Sequence, residues 1–233
     1  MASILLKLSG EALAGAAKKG LDFDTVMRVA KEVRAVTEAG TRVGIVIGGG
    51  NFWRGDEHEA EIERTKGDEI GMLATVMNCL YVSEVFRKAG MKTRVFTPFA
   101  IGAVTRLYGK DDVMEALKDG CVVFFAGGTG HPYFSTDTAT VLRALQMEAD
   151  AVYMAKSVDG VYDKDPAKHA DAKRYDSISI SEVVAKGLGV IDQAAAVLCK
   201  EHKMPLRVFA LEHEGAIARC LAGEDEGTRV TPA

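Results

Sequence analysis

Three short apolar runs of the chain end in glycine-rich turns that could bind phosphate. The turns are Lys7-Leu8-Ser9-Gly10, Gly48-Gly49-Gly50-Asn51 and Gly127-Gly128-Thr129-Gly130. Glycine lets backbone N–H groups approach an anion closely, and ligands of open α/β sheets gather outside the carboxyl ends of the strands. One glycine cluster is typical of any tight turn. Three of them, each behind a strand-like run, indicate phosphate chemistry.

Lys7 is the charged residue whose position most strongly suggests catalysis. It lies inside the first apolar run, where a charged side chain is costly unless it is paired. One interpretation is an edge-strand lysine in solvent. The other is a cation aimed at a transferring phosphoryl group, whose oxygens carry charge in the transition state.

The two best-known nucleotide motifs are both absent around the second turn. The segment Gly50–Gly55 has the spacing of a Walker A loop, but Asp56 and Glu57 stand where that motif needs Lys and Ser or Thr. When GxGxxG is read from Gly48, Trp53 falls at the third glycine. The sequence therefore disfavours a P-loop NTPase and an NAD-dependent enzyme.

The elements that must position these turns alternate between strand and helix along the whole chain. This pattern predicts an α/β fold, a three-layer αβα sandwich with a mainly parallel central sheet, as a single domain over residues 1–233. Strands are predicted at Ile4–Leu8, Arg42–Ile47, Thr93–Thr97, Cys121–Ala126, Ala151–Ala155, Leu206–Phe209 and Thr228–Thr231. Helices are predicted at Asp24–Ala39 with Asp24 as N-cap, Asp68–Ala89, Thr136–Met147, from Ser179 with a capping box, Asp192–His202 and Gly215–Ala222.

Composition and charge exclude several other classes of protein. With 48% hydrophobic and 27% charged residues, the chain has the composition of an ordinary globular protein. We find no apolar run approaching the roughly 18 residues of a membrane helix, and no signal peptide, so we expect a cytoplasmic protein with no membrane partner. The scattered cysteines, without CxxC, predict reduced, buried thiols. Interspersed charges with a net charge of −4 argue against a nucleic-acid partner.

Together the motifs resemble those of the bacterial UMP kinases, a branch of the amino-acid kinase superfamily. The resemblance is collinear from about residue 3 to residue 231 and is carried by Ile4–Ala12, Val46–Gly55, Gly67–Asn78, Gly128–Asp137 and Val158–Pro166. The segments Gly71–Asn78 and Thr129–Thr136 favour UMP kinase over the acetylglutamate, aspartate and carbamate kinases.

This resemblance implies a reaction, a cofactor and partners. ATP and UMP would give ADP and UDP by direct in-line transfer, in pyrimidine nucleotide biosynthesis, with Mg²⁺ accompanying the ATP. Residues of roughly 1–150 would bind the acceptor and those of roughly 151–233 the ATP. The family also implies a homo-oligomer, a hexamer built from dimers, with GTP and UTP as candidate effectors.

The resemblance further implies roles for individual residues. The catalytic residues would be Lys7, Arg54, Asp137 and Asp192. ATP would be bound by Lys7, Leu8, Ser9, Gly10, Gly50, Arg54, Lys156, Tyr162 and Asp165. UMP would be bound by Gly49, Asp68, Thr129, Gly130, His131, Pro132, Tyr133, Phe134, Ser135 and Thr136. No residue is assigned to a metal.

Several of these positions have a plain structural alternative. Asp68 could be a helix N-cap, and Asp137 and Asp192 stand at helix starts where an acidic residue needs no catalytic explanation. Tyr162 and Asp165 could be ordinary loop residues. The chain also departs from the family pattern. Lys156 lies one step from where many relatives have their lysine, and His131 stands where Asn or another small polar residue is expected. The Glu-rich stretch Asp56–Lys66 and the short Ala14–Gly20 region also differ from the commonest members.

Two other functions remain open from the sequence. One is a relative that phosphorylates a carboxylate or carbamate, which would need a small-acid pocket in place of the Thr129–Thr136 loop. The other is a nucleotide-binding protein that has lost catalysis, against which Lys7, Arg54 and the triple glycine argue.

Overall fold

The chain alternates regularly between strands and helices, as the sequence predicts. The computed structural model describes residues 2–54, 61–224 and 226–232, so Gly55, Asp56 and Glu57 of the Walker A comparison lie outside the described residues. The strands are β1 Ser3–Leu8, β2 Arg42–Ile47, β3 Lys92–Thr97, β4 Arg106–Leu107, β5 Cys121–Phe125, β6 Ala151–Lys156, β7 Ser177–Ser179, β8 Leu206–Ala210 and β9 Thr228–Thr231. The helices are α1 Gly10–Leu13, α2 Phe23–Glu38, α3 Arg64–Lys88, α4 Lys110–Lys118, α5 Thr136–Gln146, α6 Ile180–Ala185, α7 Gln193–Glu201 and α8 Ala216–Leu221, and a 3₁₀ turn spans Gly15–Ala17.

The strands of the described residues form one sheet, with β1 at its centre. Their order is β4-β3-β5-β2-β1-β6-β8-β9-β7, and neighbouring strands are parallel except β8 and β9. Lys7 of β1 is in register with Val46 of β2 and Met154 of β6. Parallel strands are buried on both faces and so read as continuous apolar runs, which is why the central strands could be recognised in the sequence.

Helices cover both faces of this sheet. Side chains of a strand alternate between its faces. Ile4, Leu6 and Leu8 point into a core shared with α2, α3 and α8, whereas Leu5 points into a second core shared with α4, α5, α6 and α7. The three-layer α/β arrangement confirms the predicted fold class. By the same alternation, Lys7 lies on the face of Leu5, which is the face covered by α5.

Two helix starts were wrong in the sequence interpretation. The N-cap of α2 is Asp22, whose carboxylate accepts the Thr25 N–H at 2.7 Å, so Asp24 lies in the first turn instead. Helix α3 begins at Arg64, because the Glu63 carboxylate accepts the Thr65 N–H at 3.1 Å and caps it. Asp68 is therefore one turn inside α3 and is not an N-cap. The capping box at Ser179 is confirmed.

Four elements escaped the sequence interpretation, namely α1, α4, β4 and β7. Strand β4 has two residues, both exposed, so it leaves no pattern in the sequence. Helix α4 buries Val113, Ala116 and Leu117 at helical spacing, and this pattern was missed.

Helix α3 is long and apolar enough to cross a membrane by length and composition, contrary to the expectation from the sequence. Half of its most apolar 18-residue window is buried inside the protein. Cys79, Val82 and Phe86 are fully buried, and the Phe86 ring meets the Phe124 ring edge to face at 5.3 Å. These contacts are those of a core helix, and a core helix can have the same length and apolar composition as a membrane-spanning one.

Candidate active site

The first two glycine-rich turns lie side by side, because β1 and β2 are neighbouring parallel strands. The Gly48 N–H donates to the Leu8 carbonyl at 3.1 Å, and the Ser9 N–H donates to the Ala155 carbonyl at 3.1 Å. Ser9 also caps α1 through its hydroxyl, which accepts the Ala12 N–H at 3.4 Å. The Leu8 side chain is buried, so Leu8 could contact a nucleotide through its backbone alone.

The turn after β2 presents backbone donors and packs tightly against α3. In the described part of the chain, the N–H groups of Gly49 and Gly50 donate to no protein acceptor. A Cβ atom at Gly49 would lie 2.9 Å from the Gly71 carbonyl oxygen, and one at Gly50 would lie 2.9 Å from Glu11 Oε1. Glycine is therefore required at position 49, where the neighbouring atom belongs to the backbone of α3, and the N–H groups of Gly49 and Gly50 suit an anion.

A chain of three charged side chains, Lys7–Asp137–Lys156, crosses from β1 to β6 through the first turn of α5. Lys7 Nζ lies 2.9 Å from Asp137 Oδ1, and Lys156 Nζ lies 3.2 Å from Asp137 Oδ2. Lys156 Nζ also donates to the Val190 carbonyl. Two cations thus share one carboxylate, and the Asp192 carboxylate also acts on Lys156. The two ammonium groups are donors of a kind suited to phosphate oxygens.

The environment of this charged chain shifts two pKa values. Burial acts to raise the pKa of Asp137, but the ammonium groups of Lys7 and Lys156 outweigh it and hold that pKa below its ordinary value. Burial lowers the pKa of Lys156; Asp137 opposes this shift, and repulsion from Lys7 adds to it. Asp137 is therefore ionised at neutral pH, and its carboxylate favours the protonated form of Lys156.

Asp192 connects the first turns of α5 and α7. It caps α7 by accepting the Ala195 N–H at 2.9 Å, and it also accepts from the hydroxyls of Ser135 and of Thr138, the latter at 3.0 Å. Ser135 in turn caps α5. Both oxygens of Asp192 are thus engaged in holding two helix ends together.

A cavity of about 670 Å³ lies beside these groups and brings together most of the residues assigned to UMP. It is lined by Gly49, Arg54, Asp68, His131, Tyr133, Phe134, Ser135 and Thr136, among others. Thr129 and Gly130 line a neighbouring cavity of about 530 Å³ together with His131 and Phe134. Pro132 lines neither of the two. We call the larger space the acceptor cavity.

The loop after β5 closes one side of the acceptor cavity and is fastened to α3. The Tyr133 N–H donates to Asp68 Oδ2 at 2.8 Å, and Arg64 Nε donates to the same carboxylate at 3.0 Å. The Arg64 guanidinium also lies over the Tyr133 ring, 5.5 Å from its centroid. Tyr133 has φ of 69°, a left-handed conformation that non-glycine residues rarely adopt. Asp68 therefore orders this loop and borders the cavity at the same time.

Arg54 also borders the acceptor cavity. It forms an ion pair with Glu11 of α1, and its side chain is 42% exposed. A guanidinium that is partly open to solvent suits phosphate oxygens because of its planar fork of N–H donors.

A second cavity, of about 450 Å³, lies beyond Lys156 and includes the residues assigned to adenosine. Tyr162 lines it and donates its hydroxyl to Asp159 Oδ1 at 2.6 Å. Asp165 also lines it, but its carboxylate accepts the Ala167 N–H at 2.9 Å as a turn residue does. We call this space the donor cavity.

Two residues of the site were not singled out in the sequence. Arg64 lies one helical turn before Asp68, and a correct start of α3 would have placed both on one face. Glu11 lies within the first family motif, next to the Ser9-Gly10 turn, and carried no signal of its own beyond that position.

Among the described residues, no group of three or more His, Cys, Asp or Glu side chains could hold a metal ion. Asp137 has both oxygens paired with lysines, and Asp192 has both engaged by hydroxyl and backbone donors. A cation bound beside these two carboxylates would therefore need other ligands, such as the oxygens of nucleotide phosphates.

The site combines three features: a sheet between two helix layers, glycine-rich turns, and two lysines at the ends of adjacent strands. Comparison with known sequences identifies the class of protein that has them. The chain belongs to the amino acid kinase family, whose model matches residues 3–210. The uridylate kinase of Psychrobacter sp. (strain PRwf-1) is 44% identical over 229 residues, which are 97% of this chain and 95% of that protein.

Solved structures give the same result. The crystal structure of UMP kinase from Bacillus anthracis superposes with a TM-score of 0.94 at 35% identity, covering 99% of this chain and 96% of that one. UMP kinase from Ureaplasma parvum gives 0.92 at 30% identity, covering 99% and 98%. The resemblance read from the motifs is confirmed.

Proposed function

We propose that this protein is a UMP kinase, which transfers the γ-phosphoryl group of ATP to UMP and yields ADP and UDP. The observation that carries the proposal is the Lys7–Asp137–Lys156 chain. Lys156 lines the donor cavity, and Asp137 lies between Thr136 and Thr138, which line the acceptor cavity. The two lysines that share Asp137 would thus lie where a phosphoryl group passes between two nucleotides. The similarity to the uridylate kinases supports UMP as the acceptor.

Transfer in this site would be direct and in line. Phosphoryl transfer asks little covalent chemistry of the protein, so its catalysts act by positioning the two nucleotides and by stabilising charge. Lys7 would stabilise the transferring group, and Asp137 would hold both lysines in place. Asp192 would act as a positioning residue through Ser135 and Thr138.

Each side of the site would hold one nucleotide. ATP phosphates would lie against Lys7, the Leu8–Gly10 backbone, Gly50 and Arg54, with adenosine in the donor cavity near Lys156, Tyr162 and Asp165. UMP would lie against Gly49 and Asp68, with Thr129–Thr136 wrapped around the base and ribose. Asp68 would accept hydrogen bonds from ribose hydroxyls with the lone pairs that Arg64 and Tyr133 leave available.

Mg²⁺ would enter with ATP. When bound, it would neutralise charge on the phosphates, and phosphate oxygens and water would supply its ligands. This matches the small number of protein ligands that Mg²⁺ takes in nucleotide sites.

The wider setting follows from the family. We propose a cytoplasmic enzyme of pyrimidine nucleotide biosynthesis, acting as one amino-acid kinase domain with acceptor residues in roughly 1–150 and ATP residues in roughly 151–233. A homo-oligomer, hexameric by resemblance, is supported by a stripe of exposed apolar residues along α3: Ile70, Leu73, Met77 and Tyr81. GTP and UTP are candidate effectors, and light scattering and effector titration test these two points.

The central proposal is tested by an ADP-release assay with ATP and Mg²⁺. UMP, CMP, dCMP, acetylglutamate, aspartate and carbamate are offered in parallel. Turnover with UMP is expected. Turnover with a small acid alone would assign the chain to another branch of the family, and binding of UMP and ATP without any turnover would support a nucleotide-binding protein.

A further inference from the structure

Two asparagine side chains, Asn51 and Asn78, lie buried between the phosphate-type turns and α3. Asn51 is 4% exposed and Asn78 is not exposed at all. A buried amide is costly unless its hydrogen bonds are satisfied. Here they face each other: Asn51 Nδ2 donates to Asn78 Oδ1 at 2.9 Å, and Asn78 Nδ2 donates to Asn51 Oδ1 at 2.7 Å.

The remaining amide hydrogens bind the carbonyl groups of two loops. Asn78 Nδ2 donates to the Gly48 carbonyl at 2.7 Å, and Asn51 Nδ2 donates to the Gly20 carbonyl at 2.5 Å. Each NH₂ group has two hydrogens, so all four are used. The orientation of both amides is thereby fixed, because a flipped amide would turn its oxygen toward a carbonyl.

This amide pair also contacts the turn after β1. A Cβ atom at Gly10 would lie 2.4 Å from Asn51 Oδ1 and 2.5 Å from the Gly48 carbonyl oxygen. The Lys7–Gly10 turn therefore rests on Asn51, while Asn78 holds the Gly48 carbonyl toward α3. In the described part of the chain, the N–H groups of Gly49 and Gly50 that follow remain without a protein acceptor.

We infer that Asn51 and Asn78 are positioning residues for phosphoryl transfer, and that their paired amides fix the spacing and orientation of the Lys7–Gly10 turn against the Gly48–Gly50 turn. The inference rests on the proposed function, in which these two turns hold phosphates. A preorganised donor loses much of its effect when it is displaced by about 1 Å, because transition-state stabilisation depends on its alignment. If the asparagine pair served stability alone, its substitution would change the melting temperature without changing the turnover of each folded molecule.

The test uses two substitutions at Asn78 and one control on the same helix. Asn78→Leu has similar volume and no donors, whereas Asn78→Asp keeps the shape and regains one O–H donor when its carboxyl is protonated. Val82→Ala opens a cavity one turn further along α3 at an equally buried position. We expect Asn78→Leu to lower kcat by roughly 10- to 100-fold with KM for UMP changed by less than about threefold. Val82→Ala lowers the melting temperature and leaves kcat unchanged.

A pH profile separates hydrogen bonding from packing. Burial raises the pKa of a carboxyl group, so Asp at position 78 gains its proton as the pH falls. The kcat of Asn78→Asp relative to wild type is therefore expected to rise between about pH 8 and about pH 6. The relative kcat of Asn78→Leu stays constant over the same range, because leucine does not titrate.

Binding of inorganic tripolyphosphate, measured by calorimetry, provides a readout that does not require turnover. We expect the affinity of the protein for tripolyphosphate to fall about tenfold in both Asn78 variants, because the ligand would contact both turns and their relative position would no longer be fixed. If wild type turns over UMP but both variants keep the kcat of Val82→Ala, the inference fails and the proposed function stands. If wild type shows no turnover, the proposed function fails, and unchanged tripolyphosphate affinity in the variants would overturn the inference on its own.

Discussion

Replacement of Lys7 by methionine tests the central role assigned to this site. Methionine has a similar length and is apolar, so the substitution removes the charge with little change in packing. We expect a folded protein that binds UMP and has lost most of its turnover. The physical reason is that the cation nearest the transferring group is gone while the two cavities keep their walls.

The distances in the charged chain set the expected magnitudes. Asp137 loses the contact with Lys7 at 2.9 Å but keeps Lys156 at 3.2 Å, so its carboxylate is not left unpaired. We therefore expect a loss of about 1–2 kcal/mol in the free energy of unfolding, less than the 3–5 kcal/mol that follows when a buried charge loses its only partner. The loss of one preorganised group predicts a decrease in kcat of about 100- to 1000-fold, or about 2.7–4 kcal/mol in the barrier.

The assay is steady-state ADP release with ATP and UMP, together with UMP binding by calorimetry and thermal unfolding. The matched control is Lys110→Met, which removes an exposed lysine paired with Glu148 at 2.7 Å, away from both cavities. We expect this control to keep wild-type kcat. Turnover of Lys7→Met within about fivefold of the control would refute the assigned role, since such a change is too small for the loss of a transition-state contact.

Three further predictions concern the pH profile, the acceptor and the thiols. Asp137→Asn removes the group that opposes the lowered pKa of Lys156, so that pKa falls further and the alkaline limb of kcat moves to lower pH; an unshifted limb between pH 7 and 10 would contradict this. Asp68→Asn should raise KM for UMP by about 10- to 100-fold with KM for ATP unchanged, as steady-state kinetics can show, because a hydrogen bond to a charged acceptor contributes about 1.5–3 kcal/mol. Burial raises the pKa of the Cys79 thiol to about 12, so native protein should react slowly with a disulfide reagent and rapidly after addition of guanidinium; the same holds for the thiols of Cys199 and Cys220, also raised to about 12.

The central layer of the fold could be predicted from the sequence because strands buried on both faces appear as short continuous apolar runs. The predicted bounds of β2 agree with the structure to the residue, and those of β1 to within one residue. Helix starts were harder, since several acidic residues compete for each cap. Asp22 and Asp24 are chemically identical candidates, and Asp22 is the one with the extended backbone and the side-chain hydrogen bond of an N-cap. Glu63 is a less common cap, which explains why α3 seemed to begin at Asp68.

For the site, too, some features follow from the local sequence and others depend on contacts between distant residues. Glycine turns follow strands directly, so their clustering at one edge of the sheet follows from parallel pairing. The partner of Lys7 could not be found by such reasoning, because Asp137 lies 130 positions away and meets Lys7 only because α5 covers one face of β1. The same holds for Asn51 and Asn78, which pair across the gap between a turn and a helix. Sequence therefore indicates which segments approach phosphate, whereas the contacts that orient those segments come from packing between layers. Substitutions at these orienting contacts should change kcat more than substrate binding, because transition-state stabilisation is the quantity most sensitive to alignment.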